Sequence, residues 1–92
     1  MASSTRFQFR LFVAGQSANS AQAVSNLNTL CAQYLPGRHE IEIVDVLKEP
    51  ARGLEANIIL TPTLLKVAPA PARKIIGNLN NTPIILAGLG LE

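Results

Sequence analysis

The sequence predicts an α/β domain that opens with a β-α-β unit, and three stretches carry that prediction. "RFQFRLFV" alternates, with Phe7, Phe9, Leu11 and Val13 on one face and Gln8, Arg10 and Phe12 on the other, the period of a half-buried strand. Val24, Leu27, Cys31 and Tyr34 recur at three- and four-residue steps, which makes the stripe of an amphipathic helix. "HEIEIVDVL" then alternates around Ile41, Ile43 and Val44. A β-α-β order in so short a span predicts a right-handed crossover between two parallel strands.

Before the first strand, "MASST" (residues 1–5) is small and polar and reads as a loose tail. Gly15 ends the strand, Ser17 or Asn19 serves as N-cap, and the helix stops near "YLPG". Past Asp45 the local signals compete. Pro50 opens a helix that Gly53 weakens. "TLLKVAPAPARKIIG" allows two short strands split by a proline-rich corner, or one strand and a short helix after Pro71. Thr82 and Pro83 stand as N-cap and first helical residue, yet Ile84 and Ile85 with Gly88 and Gly90 suit a strand equally. Periodicity does not decide residues 46–91. With no repeat, no heptads and no low-complexity tract beyond "APAPA", residues 1–92 form a single domain.

Hydrophobic residues make up 48% of the chain against 15% charged. That is more apolar surface than a small monomer hides, and it points to self-association or a large partner surface. The net charge of +2 is unevenly placed. Arg6, Arg10, Arg38, Lys48 and Arg52 balance Glu40, Glu42, Asp45, Glu49 and Glu55, whereas residues 56–91 hold Lys66, Arg73 and Lys74 and no acid. Steering therefore favours an acidic protein surface. Nucleic acid is not expected, because the cations are few and no aromatic stacking platform accompanies them. No run reaches membrane-spanning length, and the start lacks a signal-peptide core. A single cysteine fits a reducing compartment, so the expected location is the cytoplasm.

Thr61-Pro62 running into "TLLKV" resembles the proline that precedes an inner strand in thioredoxin-like proteins, with the peptide bond either cis or trans. A dithiol reaction needs a thiolate at a helix start and a resolving cysteine. The matching turn reads "GQSANS", and Cys31 lies about three turns into the helix on its apolar stripe, a core position. His39, the one histidine, has no convergent partner for a metal or for base catalysis. Glu40 and Glu42 share a solvated strand face, and the glycines form neither a P-loop nor a GxGxxG spacing. No catalytic set, metal site or cofactor site is expected.

"LFVAG", "VDVLKEP", "ILTPTLLKV", "RKIIGNL" and "ILAGLGL" together resemble the KaiB family of circadian-clock proteins, from about residue 7 to residue 91. The resemblance implies a non-enzymatic, thioredoxin-like protein that binds the KaiC ATPase ring and modulates its phosphorylation cycle. It implies two alternative orders for the second half. One is β-α-β-α-β-β-α, which binds KaiC. The other is β-α-β-β-α-α-β, which self-associates as a tetramer or dimer and is the form expected in crystals. Lys66, Arg73 and Lys74 fall where the family carries basic residues and are the expected partner-binding set. Pro62, Pro71, Gly88 and Gly90 are the expected structural and fold-switch positions.

Asn78 and Gly90 stand where many family members carry acids, and the chain ends at Glu92 where clock members continue with an acidic tail. These departures weigh against KaiA capture. Replacing Gly88 and Gly90 together by alanine is expected to favour a helical C-terminus, since each glycine costs about 1 kcal/mol in a helix. The alternatives are a thioredoxin-like stress or redox protein, which would need an accessible Cys31, and a stand-alone relative of a histidine-kinase input domain.

Overall fold

β1 (Phe7–Val13) is the inner strand from which the rest is organised. The computed structural model describes residues 5–91, so the tail assigned to residues 1–5 lies, except for Thr5, outside the described residues. β1 runs parallel to β2 (His39–Asp45), with Phe7 opposite His39 and Val13 opposite Asp45. On its other side it pairs antiparallel with β3 (Thr63–Ala68), which pairs antiparallel with β4 (Arg73–Ile76). The sheet order is β2-β1-β3-β4.

Helix α1 (Ala18–Tyr34) links β1 to β2 and starts at Ser17, whose hydroxyl accepts the Ser20 N–H at 3.3 Å. The remaining helices are α2 (Pro50–Glu55) and α3 (Thr82–Leu89). The chain therefore shows the β-α-β-α-β-β-α order, and "TLLKVAPAPARKIIG" resolves into two strands with Pro71 exposed at the corner between them. The β-α-β-β-α-α-β order, expected for the self-associated form in crystals, is not the one this structure shows.

Each face of the sheet has its own cover. α1 contributes Leu27, Leu30 and Cys31, and α3 contributes Ile85 and Leu89, to a core built on Phe7, Phe9, Leu11, Val13 and Leu64. Burying each such aliphatic side chain is worth about 1.5–3 kcal/mol. The second face belongs to α2. Beneath it lie Phe12, Val44 and Thr63, 1%, 0% and 2% exposed, neighbours across three strands. Phe12, out of phase with the main stripe, is thus a second core rather than a solvent residue.

α2 is short, lacks a side-chain N-cap, and has only Gly53 fully buried. A Cβ on Gly53 would stand 3.1 Å from Val46 Cγ1, so the glycine that weakens the helix is what lets it lie flat on the sheet. The other tie is ionic. Arg52 forks onto Glu42 with nitrogens 2.7 and 2.9 Å from its two oxygens, and Arg10 Nε reaches Glu42 at 2.9 Å. The Arg52 hydrogen bonds, helped by Arg10, hold the Glu42 carboxyl down at about 2. Because its folded value lies below the ordinary 4.5, Glu42 favours the fold fully above pH 4.5 and loses that contribution as pH falls towards 2. We expect Arg52→Ala to move the Glu42 titration, followed by carboxyl NMR, back up towards 4.5.

α3 begins one residue earlier than the sequence suggests. Asn81 is the N-cap, its side-chain oxygen accepting the Ile84 N–H at 3.4 Å, and Thr82 is already helical. Both residues are able to cap, and Pro83 fits either frame. The chain reaches α3 through a bent connection in which Gly77 takes φ 120° and Leu79 φ 64°. A left-handed leucine costs about 1–2 kcal/mol, and Leu79 is held there by burial, at 6% exposure.

The expected effect of the paired glycine substitutions needs correction. Gly90 ends α3 at φ 75° and ψ 30°, the left-handed cap that glycine supplies without strain. Gly90→Ala should therefore destabilise the helical C-terminus, by about 1 kcal/mol. Gly88 lies within α3, where an added Cβ meets the Ile75 side chain, with Cδ1 at 3.3 Å and Cγ1 at 3.8 Å. A gain in helix propensity there works against a tight contact. The two single variants should differ by at least about 1 kcal/mol in urea denaturation, Gly90→Ala being the weaker.

Candidate functional site

The turn between β1 and α1 is where a thiol chemistry would have to sit, and it is closed by other groups. Ser20 Oγ accepts the Ala14 N–H at 3.2 Å. Asp45 Oδ1 accepts the N–H groups of Gly15 at 3.0 Å and Leu47 at 2.9 Å, and these bonds hold its carboxyl below the usual range. Beside it runs a groove of about 390 Å³ between α1 and the end of β2, lined by Val13, Val24, Ile43 and Asp45 among others. Cys31 is fully buried in the main core, and burial pushes its thiol up to about 11. Its labelling by an aromatic disulfide in native protein should be slow and track global unfolding, and Cys31→Ser should leave insulin reduction unchanged.

The other candidate side chains have local partners. Among the described residues, no group of three or more His, Cys, Asp or Glu side chains is placed to hold a metal ion. His39 Nδ1 lies 2.7 Å from the Leu35 carbonyl oxygen, tying the start of β2 to the end of α1. Glu40 and Glu42 are ion-paired with Arg6 and with Arg10 and Arg52. Pro62, buried just before β3, follows a cis bond from Thr61, and the Ala68-Pro69 and Ala70-Pro71 bonds are cis as well.

What the structure does build is an apolar face around α2. Leu47, Leu54, Ile59 and Leu60 are 70%, 77%, 91% and 57% exposed. Leu54 and Ile59 line a groove of about 300 Å³ together with Val46, Pro50, Gly53, Ile58 and Thr61, while Leu47 and Leu60 lie outside its lining. Large aliphatic groups this open and this close in sequence mark a surface meant to be covered.

The predicted cations do not form one patch. Lys66 lies opposite Phe9 on the helix-covered face, is 5% exposed, and places its ammonium 5.8 Å from the Phe7 ring centroid. It is not the solvated lysine that its charge suggests. Arg73, opposite Lys66, is exposed on that same side of the sheet. Lys74 pairs with Leu65 and so faces the α2 side, where Nζ donates to the Asn57 carbonyl at 3.3 Å. The sheet thus separates Lys74 from the other two.

The model of the KaiB domain family matches residues 10–91. The chain belongs to the KaiB family. "Circadian clock protein KaiB3" of Synechocystis is 41% identical over 94% of this chain and 84% of its own length. "Circadian clock oscillator protein KaiB" of Gloeothece citriformis is 42% identical over 92% of this chain and 80% of its own length. The solution structure of the N-terminal domain of Synechococcus elongatus SasA superposes with a TM-score of 0.73 at 18% identity, covering 96% of this chain and 87% of that one. Chloroplastic thioredoxin z gives a TM-score of 0.76 at 20% identity, over 98% of this chain and 81% of that one. The fold is thioredoxin-like, and among the described residues no helix is long and apolar enough to cross a membrane.

Asn78 has partners on α1. Asn78 Nδ2 lies 3.4 Å from Asn19 Oδ1 and from Gln22 Oε1, while Asn26 Nδ2 donates to the Asn78 carbonyl at 2.7 Å. An aspartate at 78 would lose the donor that α1 receives here. The sequence did not single out Leu47, Leu54, Ile59 and Leu60. The signal available was the apolar triplet Ile58, Ile59 and Leu60, with Leu54 before it, which matches neither a helix nor a strand period.

Proposed function

We propose that this chain is a non-enzymatic regulatory module of a KaiABC-type clock system that docks on a KaiC-type ATPase ring and modulates its phosphorylation cycle. The observation that carries this is the open apolar face of Leu47, Leu54, Ile59 and Leu60, in a chain whose relatives are clock proteins. Lys74 stands at the rim of that face through Asn57 and acts on association rate and salt dependence rather than on core affinity. Lys66 and Arg73 belong to the other side of the sheet. Reversing Lys66 to glutamate would bury a carboxylate against Phe7 and disturb the fold, so it does not report on binding.

The proposal extends to a second packing of residues 46–91, which self-associates and competes with the element order seen here for the role of binding the ring. It does not extend to KaiA, given Asn78 and Gly90. The redox alternative requires an accessible Cys31, whose thiol is enclosed.

The test is retention of the purified chain on an immobilised KaiC-type hexamer in ATP and in ADP. Retention in at least one nucleotide state is expected. Absence of retention in both, at tens of micromolar protein over several hours, would overturn the proposal.

A further inference from the structure

β4 is an edge strand, and its hydrogen-bond phase identifies which backbone groups are free. The Gly77 N–H donates to the Pro62 carbonyl at 2.9 Å, which makes Pro62 and Gly77 a bonded pair. Thr63–Ile76, Leu64–Ile75, Leu65–Lys74 and Lys66–Arg73 follow in register. Bonded and non-bonded pairs alternate in an antiparallel ladder, so Ile75 and Arg73 bond to β3. Lys74 and Ile76 then aim their N–H and C=O groups away from the sheet. Their side chains face the α2 side, and Ile76 is 63% exposed.

The charges beside the two edges of the sheet differ. On β2, Glu40 and Glu42 are matched by Arg6, Arg10 and Arg52. On β4 and its neighbour β3, Lys66, Arg73 and Lys74 enter no ion pair with any described residue, and residues 56–91 contain no acid. Edge cations are a common guard against self-pairing. A second copy laid on β4 would bring Arg73 and Lys74 of both chains into one four-residue ladder, which like charges oppose. An acidic strand meets no such barrier.

We propose that β4 accepts an extended acidic segment of a partner chain as a fifth strand, bonded to the backbone of Lys74 and Ile76. Carboxylates of that segment sit beside Arg73 and Lys74, and an apolar residue covers Ile76. This goes beyond ring docking on the α2 face and does not depend on it. The mode is strand addition, in which the backbone supplies affinity and alternate side chains supply specificity.

The experiment uses the full chain, labelled with nitrogen-15, and an acetylated, amidated heptapeptide, Thr-Thr-Val-Thr-Glu-Glu-Thr, which laid antiparallel sets its valine beside Ile76 and its two glutamates beside Lys74 and Arg73 on their opposite faces. At millimolar peptide, the Lys74 and Ile76 amides should gain protection from hydrogen exchange, and the same heptapeptide with lysine in place of both glutamates should give none. Arg73→Glu with Lys74→Glu, both exposed positions, should weaken binding at least about five-fold. Ile76→Pro deletes one outward N–H and leaves the ladder to β3 intact, so it should also abolish protection at residue 74. Protection at Ile41 and Ile43 instead, equal binding of the lysine peptide, or no protection at all would overturn the proposal. So would a dimer through β4 in sedimentation without peptide, which would assign the edge to a second copy.

Discussion

Leu54→Asp combined with Ile59→Asp should abolish retention on a KaiC-type ring while leaving the melting temperature nearly unchanged. Both side chains are open to solvent, at 77% and 91% exposure, so the free chain loses little, within about 0.5 kcal/mol. In a complex they would enter the centre of the contact, where truncating an anchor costs about 2 kcal/mol or more, some thirty-fold in affinity. A buried aspartate adds the penalty of an unpaired charge. Isothermal titration against the hexamer, beside a thermal melt of each variant, separates the two effects. Lys74→Glu in the same assay should mainly slow association and alter its salt dependence. If the double aspartate variant bound like the wild type, the α2 face would not be the docking surface.

Phe12→Ala should be the most damaging single change on the α2 side of the sheet. The ring is 1% exposed and lies between Val44 and Thr63. Truncating a buried phenylalanine costs about 3–5 kcal/mol. In a domain of this size each kcal/mol lowers the melting temperature by roughly 4–8 °C, so a loss above about 12 °C is expected. The variant should also bind the ring less well than its residual folded fraction allows, because α2 has little else to rest on. Gly53 against Val46 and the Arg52–Glu42 fork are its remaining ties. Hydrogen exchange at Ala51 to Glu55 would show α2 released before the sheet. Exchange unchanged there, with stability lost elsewhere, would contradict this view of α2.

The β-α-β half was legible because burial there is one-sided, and one-sided burial is what periodicity reports. Phe7, Phe9, Leu11 and Val13 all face α1 and α3, and Ser17 caps the helix it precedes. The second half hid itself for a physical reason. Leu54, Ile59 and Leu60 are apolar yet exposed, so no burial phase links them. Lys66 misled in the opposite sense, since a cation on a strand reads as solvent-facing until its register with Phe9 places it inside. β4 is short and half open, with Arg73, Lys74 and Ile76 exposed, too little for a pattern. The family resemblance supplied the fold that periodicity withheld. It did not place the cations on opposite sides of the sheet or assign Gly90 a left-handed backbone.

The strained connection at Leu79 has a consequence for the clockwork of the chain itself. Residues 77–91 are fastened by Leu79, Ile85 and Leu89 in the core, by Leu86 and Leu91 packed against it, and by Asn78 to α1. One of those anchors holds its backbone under tension. Were α3 to lift off, Leu79 would be free to leave the left-handed region, which would return part of the lost packing. Partial detachment of this kind needs far less free energy than melting the sheet. Residues 77–91 are thus a cocked spring on a firmer frame, and their amides should exchange with solvent well before those of β1, β2 and α1.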